Sequence, residues 1–465
     1  MFYEIRPSEQ TAMLDAEGYA LSYKQLYAEI KNFGRDNVKR ALAFCLCENS
    51  IGSIIGYMGC LNKRIVPLLL DRKIAPELLE RLVLAYQPKY IYLPEVMQIR
   101  ISGYAPVYRT HGFVLLDNEQ KTDIPIYEEL ALLLPTSGST GSPKFVRLSY
   151  RNLESNTQAI VEYLHLDETE RAITTLPMHY TYGLSVIDSH LSVGATILLT
   201  EDTVMMRSLW EFARSAGATS LAGVPYTYEM LRRIHFSQID LPDLRYMTQA
   251  GGKLLPSLHL EIAQWAKTKK KHFVVMYGQT EATARMSYLP PEKAIEKFGS
   301  IGIAIPNGKL LLLDDDGNEI TKPEIVGELQ YIGENVSLGY AENYADLAKE
   351  DERHGILDTG DMAKRDKDGY FYIVGRKKRF LKIFGNRVNL DETERLLKEQ
   401  FSDMEIAACG EDDKMRIYIT KAGKEKEIRQ WIARRTHLSE TAFEVVYLAD
   451  IPKNEAGKTL YAKLF

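Results

Sequence analysis

The chain has 465 residues, of which 45% are hydrophobic and 26% charged, with a formal net charge of −5. That length leaves room for a large domain and a smaller one, and so ordinary a composition excludes disorder and low complexity. The charge excludes a broad basic field, so no nucleic acid is expected as partner. No uninterrupted apolar segment reaches membrane-spanning length, so no membrane insertion is expected either.

The N-terminal "MFYEIRPSEQTAML" carries neither the basic n-region nor the apolar h-region of a secretory leader. Cys45, Cys47, Cys60 and Cys409 show no zinc-type spacing. Cys45 and Cys47 lie two apart in the apolar run "ALAFCLC", where on a strand they share a face as small apolar groups. A reducing, cytoplasmic setting is expected.

That run is followed by helix-like "IGSIIGYMGCLNK", strand-like "RIVPLLL", helix-like "PELLERLVLAY" and strand-like "KYIYLP". The alternation predicts an α/β architecture with parallel strands, and it continues through "RAITTLP", "ATILLT" and "ATSLAGVP" to "HFVVMYG". The basic run "KTKKKH" reads as a solvated helix C-terminus. After about residue 290 short strands and turns such as "GELQYIG" and "DGYFYIVG" predict antiparallel β structure. The last stretch alternates again, with helix-like "LDETERLLKEQF" and "KEIRQWIARR" among strands. The expected organisation is therefore a large N-terminal domain, residues 1–375, of α/β subdomains plus a small β-rich subdomain at about 295–375. A small α+β C-terminal domain, residues 381–465, follows.

"LLLPTSGSTGSPKFVRLS" (132–149) opens from a buried-strand pattern into small, hydroxylated residues and closes on a second strand. Gly138 and Gly141 let backbone N–H groups turn toward one point, Ser137, Ser139, Thr140 and Ser142 add hydroxyls, and Lys144 adds a charge. A phosphate chain suits that cradle, although taken alone such a loop reads better as an exposed, flexible turn. It is not a Walker loop, because no Gly-Lys-Ser/Thr opens a helix after it. "HFVVMYGQTEAT" ends a strand with Tyr277, Gly278, Gln279, Thr280 and Glu281, and a carboxylate beside phosphates calls for a bridging cation such as Mg²⁺. Asp361, read as lying in a turn of "DTGD", has the chemistry to accept from both hydroxyls of a ribose. Lys458 follows Gly457 in a polar loop near the end of the chain.

Together these stretches, with "ALSYKQL", "GCLNKRIVPLLLD", "LRYMTQAGGKLLP" and "GRKKRFLKIFGNRV", resemble the adenylate-forming superfamily over nearly the whole chain. Its members include acyl- and aryl-CoA synthetases, luciferases and the adenylation domains of peptide synthetases. The resemblance implies that a carboxylate attacks the α-phosphate of ATP, pyrophosphate leaves, and a thiol, of CoA or of a carrier protein's phosphopantetheine, takes the acyl group. It further implies that Thr136, Ser137, Gly138, Ser139, Thr140, Gly141 and Lys144 grip phosphates. Tyr277 would stack on adenine, with Gly251, Gly252, Gly278 and Gln279 lining the same cleft. Thr280 would contact phosphate, Glu281 would hold Mg²⁺, and Asp361 and Arg376 would bind ribose. Lys458 would bring the two anions together as a catalytic cation. A hinge at 376–380, centred on Lys378, would rotate the terminal domain and present Lys382 and Gly385 for the second half-reaction.

For the acid, His179, Tyr180, Gly183 and Ala284 are the expected lining residues. Where amino-acid-activating members carry an Asp for the substrate ammonium, this chain has Gly183, so a small carboxylic acid without an α-amine is expected. Asp188 in a shifted pocket, and a stand-alone amino-acid ligase loading an acyl carrier protein, form the second reading. A catalytically silent nucleotide-binding scaffold is the third. Arg285, next to Ala284, reads by default as an outward-pointing arginine, and in the alternative it would meet a second anionic group.

Overall fold

The computed structural model describes residues 4–34, 38–97, 101–118, 124–135, 144–384, 386–436, 438–453 and 459–464, with the side chains of 378, 380, 382, 386, 387 and 462 left out. Strand Leu42–Cys47 is buried at all six positions and pairs in parallel with Val66–Asp71 and Tyr90–Pro94. Burial on both faces is why its sequence is continuously apolar and does not alternate. These three form the middle of an eight-stranded sheet that extends through Leu130–Pro135 and Phe145–Ser149 to the edge strand Gly339–Ala341. Cys45 and Cys47 are buried free thiols on the first strand, as their spacing implies.

Helix Ile51–Asn62 crosses this sheet with Gly56 toward it, where a Cβ would lie 2.1 Å from the ring of Tyr92. A larger residue would lift the helix off the sheet. A nine-stranded sheet has a parallel centre, with Arg171–Ile173, Thr196–Leu199, Ser220–Gly223, Tyr246–Gln249 and His272–Tyr277 among its strands. One apolar cluster runs from Leu61 and Tyr57 through Leu184 and Ile187 of helix Thr181–Ser192 to Ile197, so the two sheets share a core.

Strands Lys309–Leu313, Val326–Ile332, Ile356–Arg365 and Phe371–Arg376 form an antiparallel sheet. Asp361 lies inside the third of these, opposite Arg376, and not in a turn. Gly360, at φ +69°, and register shifts on both sides kink the strand without ending it, which is why "DTGD" reads as a turn in one dimension. From residue 380 onward, a two-stranded ribbon, a three-stranded sheet and helices Leu390–Gln400 and Glu425–Thr436 surround a core of their own. Where the two parts meet, Arg379 pairs with Asp391 and Glu394 at 2.5 and 2.6 Å and lies 3.8 Å from the ring centre of Tyr461. Arg379 is therefore held by the acids and an aromatic ring of the terminal part. Lys377 does stay at the surface, paired with Glu328.

Between the two sheets the Tyr57 hydroxyl donates to Asp188 at 3.2 Å, and Asp188 Oδ1 has no hydrogen-bond partner among the described residues. Burial pushes the Asp188 carboxyl well above its ordinary range, so the folded protein holds a proton there that the unfolded chain releases. Stability from this group is complete below the unfolded value of about 4 and is lost as the pH rises toward the folded one. Asp188→Asn is expected to flatten the decline of stability with pH by up to about 1.4 kcal/mol per unit above that value. Denaturant titrations at a series of pH values check this; an unchanged slope would show that Asp188 is ionised in the fold.

Candidate active site

The carboxyl ends of parallel strands are where open α/β sheets leave a crevice. Tyr246–Gln249 runs there into Ala250, Gly251 and Gly252, and His272–Tyr277 runs into Gly278. Gly251 has φ +84°, and a Cβ on it would lie 2.7 Å from the Tyr180 hydroxyl. The Gln249 side chain fixes this turn by donating to the carbonyls of Gly252 and Ala250 at 2.9 and 3.2 Å. At Gly278 the constraint is steric, because a Cβ would lie 1.6 Å from the carbonyl oxygen of Ala284.

Asp361 gathers the adjoining groups. The Tyr277 hydroxyl donates to Oδ2 at 2.5 Å, Gln279 Nε2 reaches the same oxygen at 3.2 Å and the Thr359 carbonyl at 2.9 Å, and Arg376 Nε pairs with Oδ1 at 2.7 Å. Asp361 is 2% exposed, whereas the Arg376 side chain is about half exposed at the rim. Burial raises the Asp361 pKa, opposed by the Arg376 charge and the bonds from Tyr277 and Gln279. Burial beside that carboxylate also drives the Tyr277 phenol far upward, so it remains a donor.

A second line of groups starts at Glu281, in the single turn Thr280–Ala282, where Thr280 is buried. The Tyr340 hydroxyl donates to Glu281 Oε1 at 2.8 Å. Lys144 Nζ lies 3.6 Å from the Tyr340 ring centre and the Arg353 guanidinium 4.7 Å. Both contacts lie within cation–π range. Lys144, Tyr340 and Arg353, with Asn343, Asp346 and Lys349, border a cleft of about 530 Å³. Lys144 is followed by Phe145, whose ring is buried edge-on against Tyr86, 5.3 Å between centres.

Sequence reasoning passed over Tyr340 and the residues that seat it. Arg147, with 0% exposure, donates to the carbonyls of Tyr340 and Leu338 at 3.0 and 3.1 Å and pairs with Glu352 at 2.5 Å. It ties the edge strand of Tyr340 to the strand that follows Lys144. Asn335 donates to the carbonyls of Ala282 and Arg285 and accepts from Tyr331 OH, while Thr283 Oγ1 donates to the Asn335 carbonyl. The one-dimensional signal for these residues is faint: an arginine inside an apolar strand and an asparagine between strands.

On the acid side, the two candidate rings separate. Tyr180 turns to Gly251, whereas His179 is partly buried near Asp71 and Glu201, with its pKa lowered by desolvation. Gly183 is a packing residue, since a Cβ would meet the Pro177 carbonyl at 2.3 Å. Ala284 is buried with φ +92°. Asp188 accepts from the Tyr57 hydroxyl at 3.2 Å, and burial raises its carboxyl well above the ordinary range. Arg285 points inward and is 2% exposed, contrary to the outward default.

Thr136, Ser137, Gly138, Ser139, Thr140, Gly141, Gly385 and Lys458 lie outside the described residues, as do the side chains of Lys378 and Lys382. Lys378 itself falls in the turn Lys377–Arg379.

A family model described as AMP-binding enzyme matches residues 4–341, and the chain belongs to that family. Among curated relatives, 4-coumarate–CoA ligase-like 4 of Oryza sativa subsp. japonica is 28% identical over 361 residues, covering 74% of this chain and 64% of that protein. A long-chain-fatty-acid–CoA ligase of Salmonella typhimurium is 28% identical over 393 residues, covering 81% and 67%. The chain thus spans about two thirds of the length of these relatives. The O-succinylbenzoate coenzyme A synthetase of Bacillus subtilis, solved with ATP and magnesium ion, superposes with a TM-score of 0.75 at 19% identity, covering 98% of this chain and 96% of the other. It shares the two-part mixed α/β fold.

Gly278→Ala is expected to cost about 3 kcal/mol or more, because the new methyl group meets the Ala284 carbonyl in a loop that Asn335 ties down on either side, at the carbonyls of Ala282 and Arg285. Thermal unfolding and nucleotide binding measured together check this; a variant with wild-type values in both would show that the 278–284 loop yields freely.

Proposed function

We propose that the chain activates a carboxylic acid with ATP, releasing pyrophosphate and forming an acyl adenylate, and then passes the acyl group to a thiol. The observation that carries the reading is a pair of clusters built on the same strand end and the turn after it, Asp361 with Tyr277, Gln279 and Arg376, and Glu281 with Tyr340 and Lys144. Membership of the AMP-binding family and relatives named as CoA ligases support it.

In this reading Asp361 and Arg376 hold ribose, with the carboxylate kept in its rotamer by Tyr277 and Gln279. Tyr277 and the turn at Gly251 and Gly252 flank adenine. Lys144, Thr280 and the 136–141 stretch hold phosphate. A hard divalent cation prefers oxygen ligands, and Glu281 fits that need because Tyr340 engages only Oε1 and orients Oε2. Bound Mg²⁺ neutralises phosphate charge. Lys458 places a cation where carboxylate and α-phosphate meet, and the terminal part, turning at Lys378, brings Lys382 for thioester formation.

CoA is the favoured thiol, since the relatives are named as CoA ligases. A carrier protein's phosphopantetheine remains the alternative acceptor, and four buried, free cysteines favour a reducing, cytoplasmic setting. Among the described residues no helix is long and apolar enough to cross a membrane. The amino-acid reading loses support because packing requires a glycine at 183 and burial raises the Asp188 carboxyl well above its ordinary range, which disfavours the carboxylate an ammonium needs.

Lys458→Ala is expected to lower acid-dependent pyrophosphate exchange by about a hundredfold or more while ATP binding stays near wild type. An unchanged exchange rate would remove this lysine from the reaction. Tyr340→Phe keeps the ring under Lys144 and deletes the bond to Glu281. The Mg²⁺ concentration for half-maximal exchange is expected to rise about tenfold with the thermal midpoint unchanged; a Mg²⁺ requirement that does not move would argue against Glu281 as its ligand.

A further inference from the structure

Arg285 is a buried charge whose partners carry none. Nε and Nη2 donate to Ser185 Oγ at 3.3 and 2.9 Å, Nη1 donates to Tyr163 OH at 3.4 Å and to the Met276 thioether, and the guanidinium lies 4.3 Å from the Tyr182 ring centre. A thioether is a weak acceptor, and neither hydroxyl offsets the charge. The neighbouring His190 is also uncharged. Its Nδ1 faces the Val186 carbonyl at 2.8 Å, its Nε2 meets the Tyr246 hydroxyl at 2.9 Å, and burial, with the guanidinium nearby, pushes its pKa down to about 4.

The acids on surrounding elements are engaged elsewhere. Asp188, one turn beyond Ser185, is bonded to Tyr57. Glu170, near Tyr246, pairs with Arg245 at 2.9 Å and accepts from the Thr219 hydroxyl. Among the described residues no carboxylate forms an ion pair with Arg285. A guanidinium withdrawn from water without an anion is strongly disfavoured, and its planar fork matches a carboxylate through two parallel bonds.

Its position connects it to the crevice. The Tyr180 hydroxyl lies at Gly251, the Tyr180 and Tyr182 ring centres are 6.3 Å apart, and the guanidinium sits on Tyr182. Ala284, the residue before it, closes onto Gly278. The charge is thus one ring behind the turn that borders the proposed nucleotide site. The walls around it, Tyr163, Tyr182, His190 and Tyr246, carry polar groups bonded to one another or to nearby backbone and side chains, a poor lining for a long alkyl chain.

We infer that Arg285 receives a second carboxylate of the substrate, so that the acid activated here is a dicarboxylic acid. The inference rests on the ligase reading and adds the substrate class to it. Binding the diacid exchanges the Met276 and Ser185 contacts for a charged fork, which makes Arg285 a specificity residue that leaves the reacting carboxyl group to the crevice.

The test compares each of malonate through adipate, and the benzenedicarboxylates, with its monomethyl ester, which removes one charge at nearly constant shape. Two readouts are taken: pyrophosphate release with ATP and Mg²⁺, and thermal stabilisation by the acid in the presence of a non-hydrolysable ATP analogue. At least one diacid is expected to exceed its ester by about a hundredfold in kcat/KM, chiefly through KM. Arg285→Met is expected to abolish that preference and Arg285→Lys to keep part of it. Equal turnover of diacids, esters and simple monocarboxylic acids by the wild-type protein overturns the inference and leaves the ligase reading standing, and so does a preference that survives in Arg285→Met. Arginine-dependent stabilisation by a diacid without pyrophosphate release keeps Arg285 as a carboxylate site but overturns the ligase reading, and with it the claim that the diacid is activated. No stabilisation by any diacid, with no turnover, overturns both. Because the diacid-to-ester comparison is made on the wild-type protein, a variant that fails to fold does not remove the test.

Discussion

A carboxylate withdrawn from water at Asp361 is tolerable only because three donors converge on it from two different sheets. Tyr277 and Gln279 come from the end of a parallel strand in the nine-stranded sheet, and Arg376 from the neighbouring antiparallel strand of the four-stranded sheet. Taking away a single donor would leave a buried charge short of partners, which costs more than the bond itself is worth. The interaction therefore works as a clamp between layers. Arg376 is also the last residue before the turn Lys377–Arg379, so the clamp sits beside the junction with the terminal part of the chain.

Around that clamp, the crevice is shaped less by attraction than by exclusion. Gly278 admits the carbonyl of Ala284, Gly251 admits the Tyr180 hydroxyl, and Gly183 admits the Pro177 carbonyl. Each contact draws a loop against a strand end or helix at a distance no side chain would permit. Asn335 then fixes the loop around Ala284, and Arg147 the edge strand of Tyr340, through backbone carbonyls, so that Glu281, Tyr340 and Lys144 fall into line without any ion pair joining Glu281 to Lys144. The acid side follows another logic: a guanidinium is enclosed among hydroxyls, an imidazole and a thioether, and its charge is left for something other than the described chain to balance.

Much of this was legible one residue at a time. Six consecutive apolar residues at Leu42–Cys47 imply a strand buried on both faces, whereas the "TSGSTG" stretch points to an anion loop only in the company of the other motifs. Other features misled. "DTGD" has the composition of a turn, but its strand continues because a glycine in the left-handed region and local register shifts take up the kink. Arg285 reads as a surface residue because arginine is rarely enclosed. Gly183 reads as a lost substrate ligand, whereas helix Thr181–Ser192 needs it to pass the Pro177 carbonyl.

The sequence by itself determined the order of strands and helices, the chemical inventory of the crevice and the family, because propensity, periodicity and motif spacing are local properties of a chain. Only the tertiary structure decided which groups share a proton or a charge. Tyr277 meets Asp361 across 84 residues, Arg285 meets Ser185 across 100, and Glu281 meets Tyr340 across 59. Those pairings depend on how two sheets stack and which way an edge strand turns, and burial changes the worth of each charge by far more than its neighbours in sequence can.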